Sequence, residues 1–168
     1  MHRNNICHRD LKPDNIMISS YIEAISAANS NNDSNSPSST GEIKPIKIKV
    51  IDLNVAFEVT PEKPRIQYGT GLKEWSAPET RTQQFTDFKI DSWTLGCVMY
   101  FICTGKPPFQ PNSQIEISDS SLFIEKLQSY QDSPTFTDMV DFIRQLMVVD
   151  VDSRMTAAEA LSHPWLNA

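Results

Sequence analysis

The stretch HRDLKPDN at residues 8–15 decides the fold and the chemistry, because it sets three polar side chains at fixed offsets before an apolar run. Asp10 is suited to orient and deprotonate a hydroxyl, and Lys12 to offset charge on a transferring phosphoryl group. Asn15 can offer its amide oxygen to Mg²⁺. The apolar run Ile16–Ile18 predicts a short strand. We therefore expect a loop that holds a hydroxyl beside a metal-bound phosphate.

A second candidate ligand follows another apolar stretch. Residues 46–51 alternate Ile and Lys and then end in two apolar residues, which predicts a strand that is half-buried at first and fully buried at its end. Asp52 comes directly after it, and a carboxylate at a strand end that points into a cleft is a natural ligand for Mg²⁺ on nucleotide phosphates. We therefore expect Asn15 and Asp52 to bind the metal, and Lys12, Asn15 and Asp52 to hold the nucleotide.

These residues carry a family resemblance, because residues 8–15 resemble the H-R-D-L-x-x-x-N catalytic loop of eukaryotic protein kinases. Three later motifs resemble the same family in the same order. Asp-Leu-Asn at 52–54 resembles its Asp-Phe-Gly triplet, Trp-Ser-Ala-Pro-Glu at 75–79 resembles its Ala-Pro-Glu motif, and DSWTLG at 91–96 resembles the start of its large buried helix. The resemblance extends over residues 1–166.

The resemblance implies the roles of individual residues. Asp10 is the catalytic base and Lys12 assists it, with ATP as the phosphoryl donor and Asn15 and Asp52 on Mg²⁺. A lysine two residues after the catalytic aspartate implies a Ser/Thr kinase. The resemblance also implies three structural roles: Glu79 pairs with Arg154, Asp91 accepts backbone N–H groups of the catalytic loop, and His8 packs structurally.

Three positions depart from the family pattern. Leu53 replaces Phe and is expected to keep its apolar contact. Asn54 replaces Gly and is among the few residue types that tolerate positive φ. Leu72 falls where Ser/Thr kinases place a threonine, which removes a hydroxyl contact to Asp10 and Lys12. These departures keep a second reading open, namely a pseudokinase-like fragment that serves as a protein-binding module.

We predict a mainly helical fold with a few short strands, an α+β fold like the large lobe of a protein kinase, formed by residues 1–166 as one domain. Within it, residues 26–45 are expected to be a disordered Asn/Ser-rich insertion at the tip of a hairpin, and residues 52–79 an activation segment. Helices are predicted over Phe88–Thr104 with a Gly105 stop, over Ser121–Tyr130, over Asp138–Val149, and after a capping box at Thr156.

The resemblance covers only the C-terminal half of a kinase domain. The sequence contains no Gly-rich phosphate-covering segment, strand lysine or adenine-binding hinge ahead of the catalytic loop. We therefore expect a truncated version, an internal start or an incomplete gene model. We also expect exposed apolar surface and little or no phosphotransfer by this chain alone.

Composition limits the partners and the compartment. The net charge of −6 over 168 residues argues against nucleic acid as a partner, because no excess of Lys and Arg is present to neutralise phosphates. The longest apolar stretch, Leu95–Cys103, is far shorter than the roughly 20 residues that span a bilayer. The three cysteines have neither an even count nor metal-ligand spacing, so we expect buried thiols in a reducing compartment. An intracellular protein of the cytoplasm or nucleus is predicted, with ATP and a protein Ser/Thr substrate as partners and an oligomeric state that the sequence leaves open.

Overall fold

The computed structural model describes residues 1–18, 47–63, 66–67, 74–81, 85–109, 127 and 134–167. The chain forms two compact units, the first made of Met1–Pro13 with Asp52–Ala168 and the second of Asp14–Ile51. Helices and a few short strands make up the described ranges, so the predicted α+β class is confirmed.

The first unit is built on helix α1, Lys89–Thr104, which matches the helix predicted from the apolar content of this stretch. Trp93 and Cys97 on this helix are fully buried. The helix ends at Gly105, which adopts a left-handed φ of 70° and donates its N–H to the Phe101 carbonyl at 2.7 Å. A glycine suits this conformation because it has no Cβ to crowd the following carbonyl oxygen at positive φ.

Helix α2, Pro134–Leu146, packs against α1 and begins four residues before the predicted start. A proline in the first turn is tolerated because the N–H that it lacks would have no partner within the helix. The two helices approach closely at Gly96, where an added Cβ would lie 2.5 Å from Met147 Cγ and 3.1 Å from Leu146 Cβ. Only glycine fits this position without a shift of its neighbours.

The capping box predicted at Thr156 is confirmed. The Thr156 hydroxyl accepts the N–H of Glu159 at 3.2 Å, and the Glu159 carboxylate accepts the N–H of Thr156 at 2.8 Å. The helix that it opens, α3, is one turn long at Ala157–Ala160. A 3-10 turn follows at Pro164–Leu166, where the proline again occupies the first position.

Short antiparallel strand pairs complete the first unit. Strand β1, Ile6–Cys7, leads into the catalytic loop and pairs with β4, Phe57–Glu58. Strand β5, Ile66–Gln67, pairs with β6, Phe85–Thr86. The first pair ties the segment after Asp52 to the segment before Asp10.

The second unit contains the predicted hairpin strands. Strand β2, Ile16–Ile18, runs antiparallel to β3, Ile48–Val50, with Met17 opposite Lys49. The burial predicted for the end of the second strand is wrong, because Val50 and Ile51 are 40% and 37% exposed. Two paired strands bury their backbone groups and leave side chains uncovered on both faces. Apolar side chains of this hairpin are therefore exposed to solvent.

Several predictions concern residues outside the described ranges. They are the insertion at 26–45, the Leu72 position, most of the helix at Ser121–Tyr130, and part of the activation segment at 52–79. Leu127 of that helix is described, and it is helical and fully buried. Of the helices in the described ranges, none combines the length and the apolar character needed to cross a membrane.

Candidate active site

Asp10 and Lys12 lie side by side on the loop that follows β1. The Lys12 ammonium nitrogen lies 2.8 Å from Asp10 Oδ2, and each side chain is 20% exposed. This half-buried ion pair leaves part of the carboxylate accessible to solvent. The two residues predicted to be catalytic are therefore brought together.

Asp91, in the first turn of α1, holds this loop by its backbone. Its Oδ2 accepts the N–H of His8 at 2.7 Å, and its Oδ1 accepts the N–H of Arg9 at 2.8 Å. Arg9 has a left-handed φ of 71°, which costs energy for a residue with a side chain. The two charge-assisted hydrogen bonds offset that cost and fix the backbone immediately before Asp10. The predicted anchoring role of Asp91 is thus confirmed.

The charge of Asp91 is maintained inside the protein. Burial alone would raise the pKa of its carboxyl group, but hydrogen bonds from His2 and from the amides of His8 and Arg9 lower the pKa below its ordinary value. Asp91 is 5% exposed, so these donors rather than water stabilise the ionised form. The loop is therefore held by a carboxylate that stays ionised at neutral pH.

Two further residues at Asp91 were missed in the sequence. His2 places Nε2 2.9 Å from Asp91 Oδ2, and the fully buried Cys7 thiol lies in the same group of side chains. Burial raises the pKa of the Cys7 thiol, and the negative charge of Asp91 raises it further. His2 and Asp91 are 89 residues apart, so no local spacing in the sequence signals the contact.

His8 is fully buried and has the structural role that the resemblance implies. Its Nδ1 accepts the N–H of Asp10 at 3.3 Å, so this ring nitrogen carries no proton when the bond forms. Together with Asp91 it constrains three consecutive backbone amides. The ring therefore supports the position of Asp10.

Asn15 belongs to the second unit, at the end of a 3-10 turn over Pro13–Asn15. It is buried, and its backbone carbonyl accepts the N–H of Ile51 at 2.9 Å. This bond continues the β2–β3 pairing by one step toward the loop. Asn15 is therefore fixed relative to the hairpin.

Asp52 belongs to the first unit and differs from its predicted surroundings. It is exposed, it has a left-handed φ of 63°, and its Oδ1 accepts the N–H of Asn54 at 3.4 Å. The left-handed residue of this turn is therefore Asp52 and not Asn54. Aspartate tolerates this conformation because its short polar side chain bonds to the nearby backbone.

The apolar contact predicted for Leu53 is wrong, since this side chain is 54% exposed. Neighbouring Asp52 and Asn54 are also exposed, so the turn as a whole faces solvent. The carboxylate of Asp52 and the amide of Asn15 are oxygen donors of the kind that Mg²⁺ prefers, so the donor chemistry fits the ion. Their joint binding of one ion stays a prediction.

The ion pair predicted between Glu79 and Arg154 is confirmed. The two guanidinium nitrogens lie 2.6 Å and 2.8 Å from the two carboxylate oxygens, and both side chains are buried. Arg154 also donates to the carbonyl of Val148 at 2.8 Å and lies over the Trp93 ring at 5.0 Å. These contacts satisfy a buried charge and join the Ala-Pro-Glu segment to the helical body.

Comparisons with known proteins agree with this geometry. The family model described as "Protein kinase domain" matches residues 1–166. The chain is 32% identical over 170 residues to the "Titin homolog" of Caenorhabditis elegans, and 31% identical over 172 residues to "Myosin light chain kinase 2, skeletal/cardiac muscle" of Bos taurus. It is 27% identical over 198 residues to "Probable serine/threonine-protein kinase fhkA" of Dictyostelium discoideum.

Each of these alignments includes 99% of the chain but much less of the relative, namely 1% of the titin homolog, 23% of the bovine kinase and 30% of the Dictyostelium protein. The matched region is therefore one part of each longer protein. The matched residues 1–166 contain the loop with Asp10, the anchor at Asp91 and the buried pair of Glu79 and Arg154. The chain belongs to the protein kinase family.

Proposed function

We propose that this protein is a serine/threonine kinase that transfers a phosphoryl group from ATP to a Ser or Thr hydroxyl of a protein substrate, and that residues 1–166 form the C-terminal lobe of its catalytic domain. The observation that carries the proposal is the 2.8 Å contact of Asp10 with Lys12 on a loop whose preceding amides are bound by Asp91. Such a loop is preorganised, so little reorganisation is needed at the moment of transfer.

In this proposal Asp10 accepts the proton of the substrate hydroxyl as the oxygen attacks the γ-phosphorus. The bond from phosphorus to the β,γ-bridging oxygen of ATP breaks, and that oxygen leaves with ADP. Lys12 offsets the negative charge on the transferring group and contacts Asp10 at 2.8 Å. His8 and Asp91 act as positioning residues, because they bind the loop backbone and do not reach the substrate.

Protein kinases generally use ATP with Mg²⁺, and we propose Asn15 and Asp52 as the metal ligands here. The ion supplies charge neutralisation for the nucleotide phosphates when it is bound. Asn15 is fixed by the hairpin bond from Ile51, whereas Asp52 is exposed and ready to accept a ligand. We propose Lys12 as a further contact of the nucleotide.

Two observations support Ser/Thr specificity. Lys12 stands two residues after Asp10, as in the Ser/Thr members of the family. The relatives include a probable serine/threonine-protein kinase and myosin light chain kinases. The need for ATP supports an intracellular site of action, in the cytoplasm or nucleus. We also propose that residues 52–79 act as the activation segment.

The second candidate function is a protein-binding module without catalysis, similar to a pseudokinase. It is favoured by the turn at Asp52, where Asn54 replaces the family glycine and Leu53 is exposed. An exposed turn places less constraint on the metal ligand than a packed one does. This alternative predicts that the protein binds partners but transfers no phosphate.

The test is a transfer assay with the natural protein, using radiolabelled ATP, Mg²⁺ and a peptide library that contains Ser, Thr and Tyr acceptors. We expect phosphoserine and phosphothreonine products, and a fall in rate of about 10²–10⁴-fold for Asp10→Asn. Asp14→Asn is the matched control, because Asp14 lies in the same loop and is exposed. It should retain most of the activity.

The 168-residue chain should be assayed in parallel. We propose that it transfers little or no phosphate, because its sequence contains no Gly-rich phosphate-covering segment and no strand lysine for the nucleotide. Transfer by the natural protein that survives Asp10→Asn would contradict the proposed role of Asp10. Complete inactivity of the natural protein under all conditions would favour the function as a binding module.

A further inference from the structure

A second group of reactive side chains lies beside the catalytic loop and takes no part in the proposed transfer. A ring nitrogen of His2, the Sγ of Cys7 and a carboxylate oxygen of Asp91 all lie within 4.8 Å of one another. They come from three elements, namely the 3-10 turn His2–Asn4, strand β1 and helix α1. Three different ligand types therefore converge on one point.

The types of donor indicate which ion would bind. A thiolate, an imidazole and a carboxylate together are a ligand set that Zn²⁺ accepts in tetrahedral sites. Mg²⁺ and Ca²⁺ prefer sites made only of oxygen atoms, so the sulfur and nitrogen donors disfavour both. The group is therefore chemically distinct from the oxygen donors Asn15 and Asp52.

The geometry allows an ion to bind without releasing the catalytic loop. Asp91 Oδ1 accepts the Arg9 amide, and Oδ2 accepts the His8 amide at 2.7 Å while it also faces His2 Nε2 at 2.9 Å. An ion among these atoms would replace the side-chain hydrogen bonds that His2 and Cys7 make with Asp91. Both backbone anchors of the loop would remain.

A divalent ion balances the charge that its own binding creates at this point. Cys7 and Asp91 are buried, so the thiolate that forms when the thiol loses its proton is tolerated beside the carboxylate only with a cation between them. One divalent cation balances one thiolate and one carboxylate, which leaves a neutral centre. The thiol proton of Cys7 is released to solvent when the sulfur–metal bond forms.

We propose that His2 Nε2, Cys7 Sγ and Asp91 Oδ2 form a Zn²⁺ site in this protein. His2 is 24% exposed whereas Cys7 is fully buried, so the ion enters from the side of His2 and a water molecule completes four ligands there. The bound ion ties the 3-10 turn, β1 and the start of α1 together. It therefore stabilises the fold around the loop that carries Asp10.

The test uses the purified 168-residue chain, freed of metal by a chelator and then titrated with Co²⁺, a spectroscopic substitute for Zn²⁺. We expect one equivalent to bind, with a thiolate-to-cobalt charge-transfer band in the near ultraviolet and the intense visible bands of tetrahedral cobalt. Added Zn²⁺ should displace the cobalt and erase both signals, whereas added Mg²⁺ should not. The temperature of unfolding should rise with Zn²⁺ concentration.

Two variants identify the ligands. Cys7→Ser should abolish the charge-transfer band, and His2→Gln should weaken binding at least tenfold, while glutamine retains an N–H that can still reach Asp91. Cys103→Ser is the matched control, because this half-buried thiol on α1 lies against Met139 instead. It should bind cobalt like the natural chain.

Three results would overturn the proposal. They are an absent charge-transfer band in the natural chain, a band retained by Cys7→Ser, or a band lost equally in Cys103→Ser. Circular dichroism of each variant shows whether it is folded. If Cys7→Ser does not fold, the same decision rests on His2→Gln, whose unchanged cobalt affinity would exclude the site.

Discussion

The helical body buries charged side chains, whereas the β2–β3 hairpin exposes apolar ones. In the body, charged residues such as Arg154, Glu79 and Asp91 are buried and bonded to one another or to the backbone. In the hairpin, aliphatic residues such as Ile48 and Val50 face solvent. The contrast shows that fixed charges define the geometry of the candidate active site, whereas apolar burial contributes little to the hairpin.

Removing the buried guanidinium should have the largest effect. We expect Arg154→Met to lower the free energy of unfolding by about 3–5 kcal/mol, because it leaves the Glu79 carboxylate buried without its charged partner. Urea denaturation followed by tryptophan fluorescence measures the change.

The chain offers a matched control for that variant. Arg144 pairs with Asp141 on α2 at 3.4 Å, and these side chains are 47% and 43% exposed. Arg144→Met should change the free energy of unfolding by about 0–1 kcal/mol. Equal losses in both arginine variants would contradict the contrast between buried and exposed charge.

Asp91→Asn should have the next largest effect. We expect the free energy of unfolding to fall by about 2–3 kcal/mol at neutral pH, because the charged acceptor of the His8 and Arg9 amides becomes a neutral group with one acceptor oxygen. Chemical denaturation of both proteins over a range of pH provides the measurement.

The sign of the pH dependence follows from the lowered pKa of Asp91. A group whose pKa is lower in the folded protein stabilises the fold above its unfolded pKa, and this contribution is lost as the pH falls through the folded pKa. The difference in the free energy of unfolding between the natural chain and Asp91→Asn should therefore be largest at neutral pH. It should shrink as the pH falls below 3.8, the ordinary pKa of an aspartate. A difference that grows in acid would contradict the ionised anchor.

Gly96→Ala should have an intermediate effect. The added Cβ would lie 2.5 Å from Met147 Cγ, so the side chain or the helix must shift, and we expect a cost of about 1–3 kcal/mol. The thermal unfolding midpoint reports it. Met147→Ala removes the Cγ atom that the added Cβ would contact. The effects of Gly96→Ala and Met147→Ala on stability should therefore not add up in the double variant. Strict additivity of the two single changes in stability would show that the close approach at Gly96 does not affect stability.

The sequence predicted the parts of the site that are carried by ordered motifs. The contact of Asp91 with the loop amides and the pairing of Glu79 with Arg154 follow from the family pattern, because each charge there needs a fixed partner. The pairing of β2 with β3 followed from two short apolar runs on either side of a polar segment. The family resemblance was sufficient for the first two features, and local pattern was sufficient for the strand pairing.

Other features depend on contacts that a linear pattern does not contain. Alternation along β3 gives the face of each side chain but not whether anything covers that face, so the burial of Val50 and Ile51 was predicted wrongly. The left-handed residue was sought at Asn54, although aspartate also tolerates this conformation and Asp52 adopts it. His2 and Cys7 meet Asp91 only through tertiary packing.

The smallest effect is expected in the hairpin. Ile48 is 61% exposed, so Ile48→Thr removes little buried apolar surface and keeps a β-branched side chain suited to a strand. We expect the free energy of unfolding to change by no more than about 0.5 kcal/mol. Chemical denaturation measures it, and Ile143→Thr on α2, where the side chain is fully buried, is the matched comparison. A large loss for Ile48→Thr would mean that this residue is covered in solution.

Amide hydrogen exchange at His8 and Arg9 tests most directly whether Asp91 fixes the backbone that carries Asp10. We expect slow exchange at both amides in the natural chain and much faster exchange in Asp91→Ala, while the amide of Val98 in the middle of α1 stays protected in both. Exchange at His8 and Arg9 that is equally fast in the two proteins would contradict a loop held by this carboxylate.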